Sequence, residues 1–481
     1  MKPTVLLASL LALVAFFVAP AVAAAQSASY FRSDGGVSEA RTALPEQLDQ
    51  PSCLAWRQPL DSGHSTPCVV GDRAFVTTFD GKQLATAALN LADGNVLWKQ
   101  VAPATRIEVY HPTGSPAVAT PASDGRHVFV FFGSYGLLCY DLEGKLVWSR
   151  PLGPFQDEFG SGSSPIVAHG KLLINEDHDI DSYLMALDPD SGRTLWKTAR
   201  DGFTRSYSTP VIWSPGGRPQ AVVAGALELA GYDLASGRQL WRMEGLARIV
   251  NPTPIVDGDR MYVATWSPGG DTGARIAMEP WTYALEQWDR DHNGKLTHAE
   301  VDNKDVLDRF YRIDLNQDKA LDQAEWTKYA AIFERAQNSL VAVEPPAEEG
   351  KTPRALWRYS KGLPYVSSPL EYQGVLYLVK DGGIVSSLDP LSGKLIKQGR
   401  ARGAGGYYAS PIAGDGKVYL VSEAGVISVL KAAGHWQVLA SHDLGERTMA
   451  TPVIAGPRVL VRTEKALYCF RLPADATAAA R

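Results

Sequence analysis

The chain has 481 residues, with 47 Lys or Arg, 52 Asp or Glu and a formal net charge of −5 at pH 7. This near balance argues against a nucleic-acid partner and against binding to an anionic membrane surface, since both attract basic proteins. Hydrophobic residues make up 45% of the chain, and its 44 glycines and 31 prolines favour a turn-rich β protein over a helical one.

The N-terminus has the pattern of an export signal. Lys2 precedes an apolar run from Val5 to Val22, and Ala23-Ala24-Ala25 offers a small-residue cleavage site before Gln26. We therefore predict a signal peptide over residues 1–25 and a periplasmic or secreted protein. No later segment is apolar enough to span a membrane, so we expect no integral membrane association beyond the signal. Because the apolar run is long, an uncleaved anchor is the alternative.

A recurring proline organises most of the chain. It follows a Ser/Thr/Ala-rich step and precedes an apolar strand at Pro67, Pro121, Pro165, Pro210, Pro254, Pro369, Pro411 and Pro452. The intervals lie near 44 residues except for one of 115 residues, between Pro254 and Pro369. A period in this range is typical of a propeller, a solenoid or an array.

Each repeat reads as four short strands joined by tight turns. TPIVDGDRMYVAT (253–265) contains two strands around a Gly-Asp turn, and ALDPDSGRTLWK (186–197) contains two more around an Asp-x-x-Ser-Gly turn. This pattern predicts a propeller blade. We expect the fourth-strand tryptophans to pack between blades; they are Trp56, Trp98, Trp148, Trp196, Trp241 and Trp357.

The two ends of the repeat region complement each other. CLAWRQPL, around Trp56, is a fourth strand without its first three strands, whereas the repeat that begins at Pro452 stops after its third strand. The sequence therefore predicts an all-β fold, an eight-bladed β-propeller closed by an N-terminal strand. Such closure leaves only short, protected sheet edges.

The long interval contains a segment with helical periodicity that interrupts blade five. The blade resumes at SLVAVEPP and ends at ALWRY. The predicted organisation is therefore an N-terminal extension (26–51), a first propeller part (52–267), an EF-hand pair insertion (268–337), a second propeller part (338–475) and a disordered tail (476–481).

Two stretches of the insertion match the twelve-residue calcium loop of an EF-hand. Oxygen ligands fall at positions 1, 3, 5 and 9, a backbone carbonyl at position 7 and a Glu at position 12, which suits a hard cation. The predicted calcium ligands are Asp289, Asp291, Asn293, Lys295, Thr297 and Glu300 in the first loop and Asp314, Asn316, Asp318, Ala320, Asp322 and Glu325 in the second. The alternative is a helical turn with a solvated acidic loop.

The two loops differ at position six, where the chain turns sharply. Gly294 occupies this position in the first loop and Lys319 in the second. A positive φ costs a non-glycine residue about 1 kcal/mol, so we expect the second loop to bind calcium more weakly. Leu296, at position eight, is expected to pair with the partner loop. Exported calcium modules bind at roughly 10⁻⁴–10⁻³ M, which favours a structural role over a signalling one.

The repeat, with ALDPDSGRTLW as its clearest copy, resembles the pyrroloquinoline-quinone-like (PQQ-like) β-propeller repeat over about residues 52–267 and 338–475. That superfamily contains calcium-dependent quinoprotein alcohol dehydrogenases and a lipoprotein of outer-membrane barrel assembly. The resemblance therefore implies either a PQQ-dependent oxidoreductase or a binding protein.

The positions of the cysteines in this chain differ from those in the dehydrogenases and in the lipoprotein. The dehydrogenases carry a vicinal cysteine pair that packs over the quinone, whereas Cys53, Cys68, Cys139 and Cys469 are far apart in this sequence. No cysteine near the predicted cleavage site could carry a lipid. We predict an exported calcium-binding propeller that is a non-catalytic binding or scaffold protein, with a PQQ-dependent oxidoreductase as the alternative and a calcium sensor as a third option.

The loops that precede the first strand of each blade are expected to converge on one face of the ring. They hold Tyr110, His111, Glu158, Arg205, Tyr207, Arg248, Asn251, Tyr365, Tyr407, Tyr408 and Arg447. A ring of Tyr and Arg around a central channel suits a protein or polymer partner.

One polar cluster lies outside the insertion, at Asn175-Glu176-Asp177-His178-Asp179-Ile-Asp181. We interpret it as a solvated hairpin between two strands, with a metal or substrate site at the propeller rim as the alternative.

Overall fold

The computed structural model describes residues 28–39, 42–155, 159–178, 180–346, 348 and 350–473. The described residues form eight four-stranded antiparallel sheets and one two-stranded sheet. The eight larger sheets are the blades of one β-propeller, so the predicted all-β, eight-bladed fold is confirmed. The predicted signal peptide and the predicted C-terminal tail lie outside the described residues.

The strands are numbered in chain order, and the first is β1 (Leu54–Pro59). Blade 1 contains β2 (Cys68–Val70), β3 (Arg73–Phe79), β4 (Leu84–Asn90) and β5 (Val96–Val101). Blade 2 contains β6 (Ala122–Ser123), β7 (His127–Phe132), β8 (Gly136–Asp141) and β9 (Leu146–Pro151). Blade 3 contains β10 (Ile166–Ala168), β11 (Lys171–Glu176), β12 (Tyr183–Leu187) and β13 (Thr194–Ala199). Blade 4 contains β14 (Val211–Trp213), β15 (Gln220–Ala224), β16 (Glu228–Asp233) and β17 (Gln239–Glu244).

Blade 5 begins with β18 (Ile255–Asp257) and β19 (Arg260–Thr265). The strands β20 (Leu296–Thr297) and β21 (Ala320–Leu321) belong to the insertion, after which blade 5 ends with β22 (Ser339–Glu344) and β23 (Arg354–Tyr359). Blade 6 contains β24 (Leu370–Tyr372), β25 (Val375–Lys380), β26 (Ile384–Leu388) and β27 (Leu395–Arg400). Blade 7 contains β28 (Ile412–Gly414), β29 (Lys417–Val421), β30 (Val426–Lys431) and β31 (Gln437–Asp443). Blade 8 contains β32 (Val453–Ala455), β33 (Arg458–Arg462) and β34 (Ala466–Arg471), and β1 completes it.

The second strand of each blade is apolar along most of its length because both of its faces pack against neighbouring blades. The strand β7, HVFVFF, is buried from its second residue to its last. The outer strand β5, VLWKQV, is exposed at five of its six residues. The core therefore lies between the blades, and each blade faces solvent mainly along its fourth strand.

The ring closes through an antiparallel pair between β1 and β34, in which Trp56 lies opposite Cys469. Trp56 is 8% exposed, and its indole N–H donates to the carbonyl of Leu91 in blade 1 at 3.1 Å. The prediction that the N-terminal strand completes the last blade is confirmed.

A tryptophan–glycine contact repeats between successive blades. The indole N–H groups of Trp98, Trp148, Trp196 and Trp357 donate to carbonyls of the next blade at 2.8–3.2 Å. Each ring lies against the glycine of the next Asp-x-x-Ser-Gly type turn, where a Cβ would come within 2.4–2.7 Å of the indole. These turns therefore require glycine, and the predicted packing of these tryptophans between blades is confirmed.

The recurring proline step forms a belt of hydroxyl groups around the ring axis. In every blade the residue before the proline is Ser or Thr. In seven of the eight described cases, from Thr66 to Ser410, its backbone N–H donates to the hydroxyl of its equivalent in the next blade. The described bonds measure 2.9–3.3 Å. We call these residues the hydroxyl girdle: Thr66, Thr120, Ser164, Thr209, Thr253, Ser368, Ser410 and Thr451.

The N-terminal segment 28–39 crosses the central channel. The carbonyl of Ser29 accepts the N–H of Ser123 in blade 2 at 2.7 Å. On the opposite side of the ring, the guanidinium of Arg32 donates to the carbonyls of Pro369 and Pro411, in blades 6 and 7, at 2.7 and 2.9 Å. The segment therefore closes the channel at one end, a role that was not predicted for the N-terminal extension.

The insertion leaves blade 5 after β19 and returns at β22. It contains α1 (Trp281–Trp288), α2 (Lys304–Leu307), α3 (Phe310–Ile313) and α4 (Gln323–Arg335), none of which is long enough and apolar enough to cross a membrane. Its apolar core includes Trp326 and Phe333 and also takes in Leu227 from blade 4. The insertion is thus packed onto the propeller.

The insertion and the loops that precede each first strand lie on the same face of the ring. The second strand of a blade runs antiparallel to the first, so a segment inserted after the second strand emerges where the first strand begins. We call this side the insert face.

Candidate functional site

The first predicted calcium loop brings three of its acidic side chains together. Carboxylate oxygens of Asp289, Asp291 and Glu300 lie within 4.8 Å of one another, a spacing that could hold a metal ion. Asp289 accepts the N–H groups of Asn293 and Gly294 at 3.2 and 3.0 Å. Gly294 has a φ of +80°, as its place at the sharp turn requires.

Glu300, at the end of this loop, is fixed by Thr297. The N–H and the hydroxyl of Thr297 donate to Oε2 of Glu300 at 2.9 and 2.7 Å. These bonds, led by the N–H bond, hold the pKa of Glu300 below its ordinary value. The carboxylate is therefore ionised at neutral pH, as a calcium ligand must be.

The second predicted loop has the same backbone course. Asp314 accepts the N–H groups of Asp318 and Lys319 at 3.1 and 2.9 Å, which match the bonds that Asp289 accepts in the first loop. Asn316 accepts the N–H of Asp318 at 2.8 Å, Asp318 accepts that of Ala320 at 3.0 Å, and Asp322 accepts that of Glu325 at 2.9 Å. The loops meet through β20 and β21, where Leu296 pairs with Leu321 as predicted for position eight.

Two features set the second loop apart. Lys319 has a φ of +72°, the left-handed conformation expected at position six and unfavourable for a lysine. The ammonium of Lys295, from the first loop, lies 2.5 Å from Oδ2 of Asp318, and this bond lowers the pKa of that carboxyl group. A calcium ion in the second loop would have to compete with Lys295 for Asp318.

A central pocket opens on the insert face and has a volume of about 200 Å³. All eight members of the hydroxyl girdle line it, and Phe31 of the N-terminal segment contributes to its wall. A second layer comes from the residue two positions before each girdle member. We call it the rim layer: His64, Val118, Gly162, Tyr207, Asn251, Val366, Tyr408 and Met449. The eightfold repeat thus supplies two layers of the pocket. The hydroxyl girdle is always Ser or Thr, whereas the residues of the rim layer vary.

The lining of this pocket carries no formal charge in the part of the chain that the structure describes. The lining residues there include no Lys, Arg, Asp or Glu. His64 is buried, which lowers its pKa even though Glu464 lies 3.4 Å from its Nε2 and opposes the shift. The imidazole is therefore neutral at pH 7, and the polar groups of the described lining are hydroxyl groups, one amide and this imidazole, beside aromatic faces.

The structure divides the predicted ring of Tyr and Arg. Tyr207, Asn251, Tyr365 and Tyr408 line the pocket, whereas Tyr407 is buried, with its hydroxyl donating to the carbonyl of Arg402 at 3.0 Å. Tyr110 is exposed, His111 packs against Phe159 with ring centroids 5.0 Å apart, and Arg447 pairs with Glu423 and Glu464 at 3.0 and 2.7 Å. Glu158 lies outside the described residues.

Arg205 and Arg248 are not at the pocket. Both are buried, and they line a small cavity together with Arg312 and Tyr329 of the insertion. The Nε–H of Arg248 donates to the carbonyl of Pro268 at 3.0 Å. The prediction that Arg205 and Arg248 belong to the binding ring is wrong, because the insertion covers this part of the insert face.

The interpretation of the polar cluster as a solvated hairpin is also wrong for its first four residues. Asn175, Glu176, Asp177 and His178 are 0%, 3%, 3% and 8% exposed. Asp177 is paired with Arg200, whose Nε and Nη2 donate to its two carboxylate oxygens at 2.6 and 2.7 Å. The cluster can be buried because the guanidinium of Arg200, which follows the last strand of blade 3, neutralises the carboxylate of Asp177.

The chain matches a protein-family model over residues 53–176 and 180–305, which is more than half of its length. That model is described as outer membrane protein assembly factor BamB. The chain belongs to this family. No curated protein shows significant sequence similarity to this BamB-family chain.

Solved structures agree with the BamB-family fold. BamB from Moraxella catarrhalis has a TM-score of 0.56 and 11% identity, with 87% of this chain and 99% of that chain covered. The computationally designed Ika8 protein has a TM-score of 0.53 and 9% identity over the same shares of both chains. A europium-containing methanol dehydrogenase aligns with a TM-score of 0.49 and 11% identity, covering 93% of this chain and 98% of that chain. At these identities the two structures with TM-scores above 0.5 support the fold alone.

The described lining of the pocket does not fit PQQ. That quinone carries three carboxylates, which need cationic partners when they leave water. No cationic side chain lines the pocket within the described ranges, and no described carboxylate stands there to hold a calcium ion beside the quinone. The four cysteines are buried, unpaired and far apart in the sequence, so none can form a vicinal pair.

Proposed function

We propose that this BamB-family propeller is a periplasmic or secreted, calcium-binding, non-catalytic protein that binds a protein or polymer partner through its insert face. The observation that carries the proposal is the uncharged lining of the central pocket, which has no Lys, Arg, Asp or Glu among its described residues. A wall of hydroxyl groups and aromatic rings suits binding rather than proton transfer.

Calcium is the cofactor that we propose for the insertion. The first loop already has its three carboxylates within reach of one ion, and the paired strands β20 and β21 couple it to the second loop. A calcium pair would fix the insertion against blades 4 and 5, so we assign it a structural role. A sensor is the alternative, and it would require the insertion to reorient when calcium binds.

Titration with calcium should show two unequal sites in the purified protein. We expect Glu300→Gln to abolish the tighter site and Glu325→Gln to abolish the weaker one, because Lys319 and Lys295 both disfavour an ion in the second loop. Isothermal titration calorimetry of the wild type and both variants measures this.

Glu286→Gln is the matched control for the calcium titration, since Glu286 is an exposed glutamate of α1 outside both loops. Unchanged calcium binding in the double variant Glu300→Gln/Glu325→Gln would contradict the metal proposal. The same samples discriminate the oxidoreductase reading. With calcium and PQQ added, we expect no new absorbance band and no dye reduction with alcohols or sugars, and either signal would favour an enzyme.

The partner is expected on the insert face. Val109, in the loop before β6, is 68% exposed there, and Leu391, in the turn between β26 and β27, is 63% exposed on the opposite face. With a photo-crosslinking amino acid at either position in cells, we expect a discrete adduct with an outer-membrane assembly protein from position 109 only. Mass spectrometry identifies the adduct. Equal crosslinking from both positions, or crosslinking from position 391 alone, would place the partner elsewhere.

A further inference from the structure

The central pocket has a floor of unused hydrogen-bond donors. The hydroxyl oxygen of each girdle residue from Thr120 to Thr451 accepts a backbone N–H from the preceding blade. None of the eight hydroxyl groups donates a hydrogen bond among those of the described residues. A hydroxyl group keeps its own O–H when it accepts, so the girdle presents a ring of donors to whatever fills the pocket.

The part of the pocket nearer the insert face is aromatic. Tyr207 and Tyr408 belong to the rim layer, and Tyr365 and Phe159 also line the cavity. Phe159 meets Tyr207 edge to face, with ring centroids 6.1 Å apart. The absent side chain of Gly162 makes room for this arrangement, since a Cβ there would lie 2.9 Å from Tyr207. The aromatic ring faces therefore lie on the insert-face side of the hydroxyl girdle.

Size and charge restrict the ligand further. A cavity of about 150 Å³ accommodates a benzene molecule, so a volume of about 200 Å³ accommodates one six-membered ring with substituents. An anion would find no counter-charge in the described lining. A purely apolar group would displace water from the girdle and leave its hydroxyl donors without acceptors, which costs free energy.

We propose that the central pocket binds one neutral pyranose ring, with the oxygens of the sugar on the hydroxyl girdle and its C–H faces on Tyr207 and Tyr408. The rim layer is then the specificity-determining layer, because its eight residues differ while the girdle is uniform. The inference rests on the proposed function in one respect, that the insert face binds rather than reacts, and it is independent of calcium.

Binding is measured by saturation-transfer NMR and calorimetry on the full calcium-loaded chain. The probes are methyl α-glucopyranoside, methyl β-galactopyranoside and N-acetylglucosamine, with benzoate and benzyl alcohol as anionic and apolar comparisons. We expect at least one pyranoside to saturate the protein. We expect Tyr207→Ala and Tyr408→Ala each to weaken it about tenfold, and Tyr283→Ala, an exposed tyrosine of α1, to leave it unchanged.

A second variant tests the donor ring with little structural disturbance. Thr66 is the girdle member whose hydroxyl accepts no N–H bond among the described residues, so Thr66→Val removes a donor without breaking a described contact between blades. Its melting temperature should match that of the wild type while pyranoside binding weakens. Binding of benzoate alone, of benzyl alcohol alone or of no probe would overturn the proposal. The calcium and crosslinking results would stand in each case, so failure here is distinct from failure of the proposed function.

Discussion

Replacing Asp177 with Asn is expected to lower the free energy of unfolding by about 3–5 kcal/mol, the usual cost of stranding one member of a buried ion pair. The side chains of Asp177 and Arg200 are both fully buried and are joined by two hydrogen bonds of 2.6 and 2.7 Å. Arg200 also contacts Tyr232 and lies 3.6 Å from the ring of Phe203. Denaturant unfolding with a stability-sensitive signal measures the loss.

Asp181→Asn is the matched control, because Asp181 belongs to the same polar cluster but is exposed. It should change stability by no more than about 0.5 kcal/mol. Replacing both charges, in Asp177→Asn/Arg200→Gln, should recover part of the loss, since neither charge is then left alone. Equal effects of the two aspartate variants would show that the buried pair does not stabilise the blade.

Trp56→Ala is expected to lower the free energy of unfolding by about 3–5 kcal/mol, as for other large aromatic truncations in a core. The indole of Trp56 is buried between blades 8 and 1, bonded to Leu91 and stacked on Gly94. β1 is far from β34 in the sequence and is held in blade 8 by non-covalent contacts. Loss of the Trp56 side chain should therefore weaken the ring closure first. Hydrogen exchange should therefore rise selectively in β1 and β34.

Trp196→Ala provides the comparison for this closure. Trp196 makes the same contact, with Leu234 and Gly237, from a blade whose four strands are consecutive in the chain. It should destabilise the protein without faster exchange in blade 8. If Trp56→Ala produced a uniform rise in exchange instead, the closing strand would have no special weakness.

The fold could be predicted because it is repeated. The proline step, the Asp-x-x-Ser-Gly turn and the fourth-strand tryptophan each recur. A strand that is hard to recognise in one blade can therefore be assigned from its equivalents in the other blades. The unmatched strand around Trp56 identified the closure, and its pairing with β34 confirms it. The two acidic loops of the insertion could be recognised for a different reason, since the residues that we propose as calcium ligands are close together in the sequence.

What could not be predicted depends on contacts between segments that are distant in the sequence. Asp177 looks solvated until Arg200 is placed beside it, and Arg248 looks available until the insertion covers it. Nothing in residues 28–39 indicates that they cross the channel, because the segment has no periodicity. The girdle was present in the sequence as a Ser or Thr before every proline, but its bonds join residues of neighbouring blades.

The closing strand has a consequence for the order of events during synthesis. β1 is made first and finds its partner last, because β34 is the final strand of the ring. While the intervening blades are being made, β1 remains an unpaired strand, and β33 and β34 will meet it only when nearly the whole chain exists. Unpaired strand edges promote aggregation during folding. The nascent protein is therefore most prone to aggregate through β1, its earliest strand. Removal of residues near either end, at β1 or at β34, leaves the same blade incomplete.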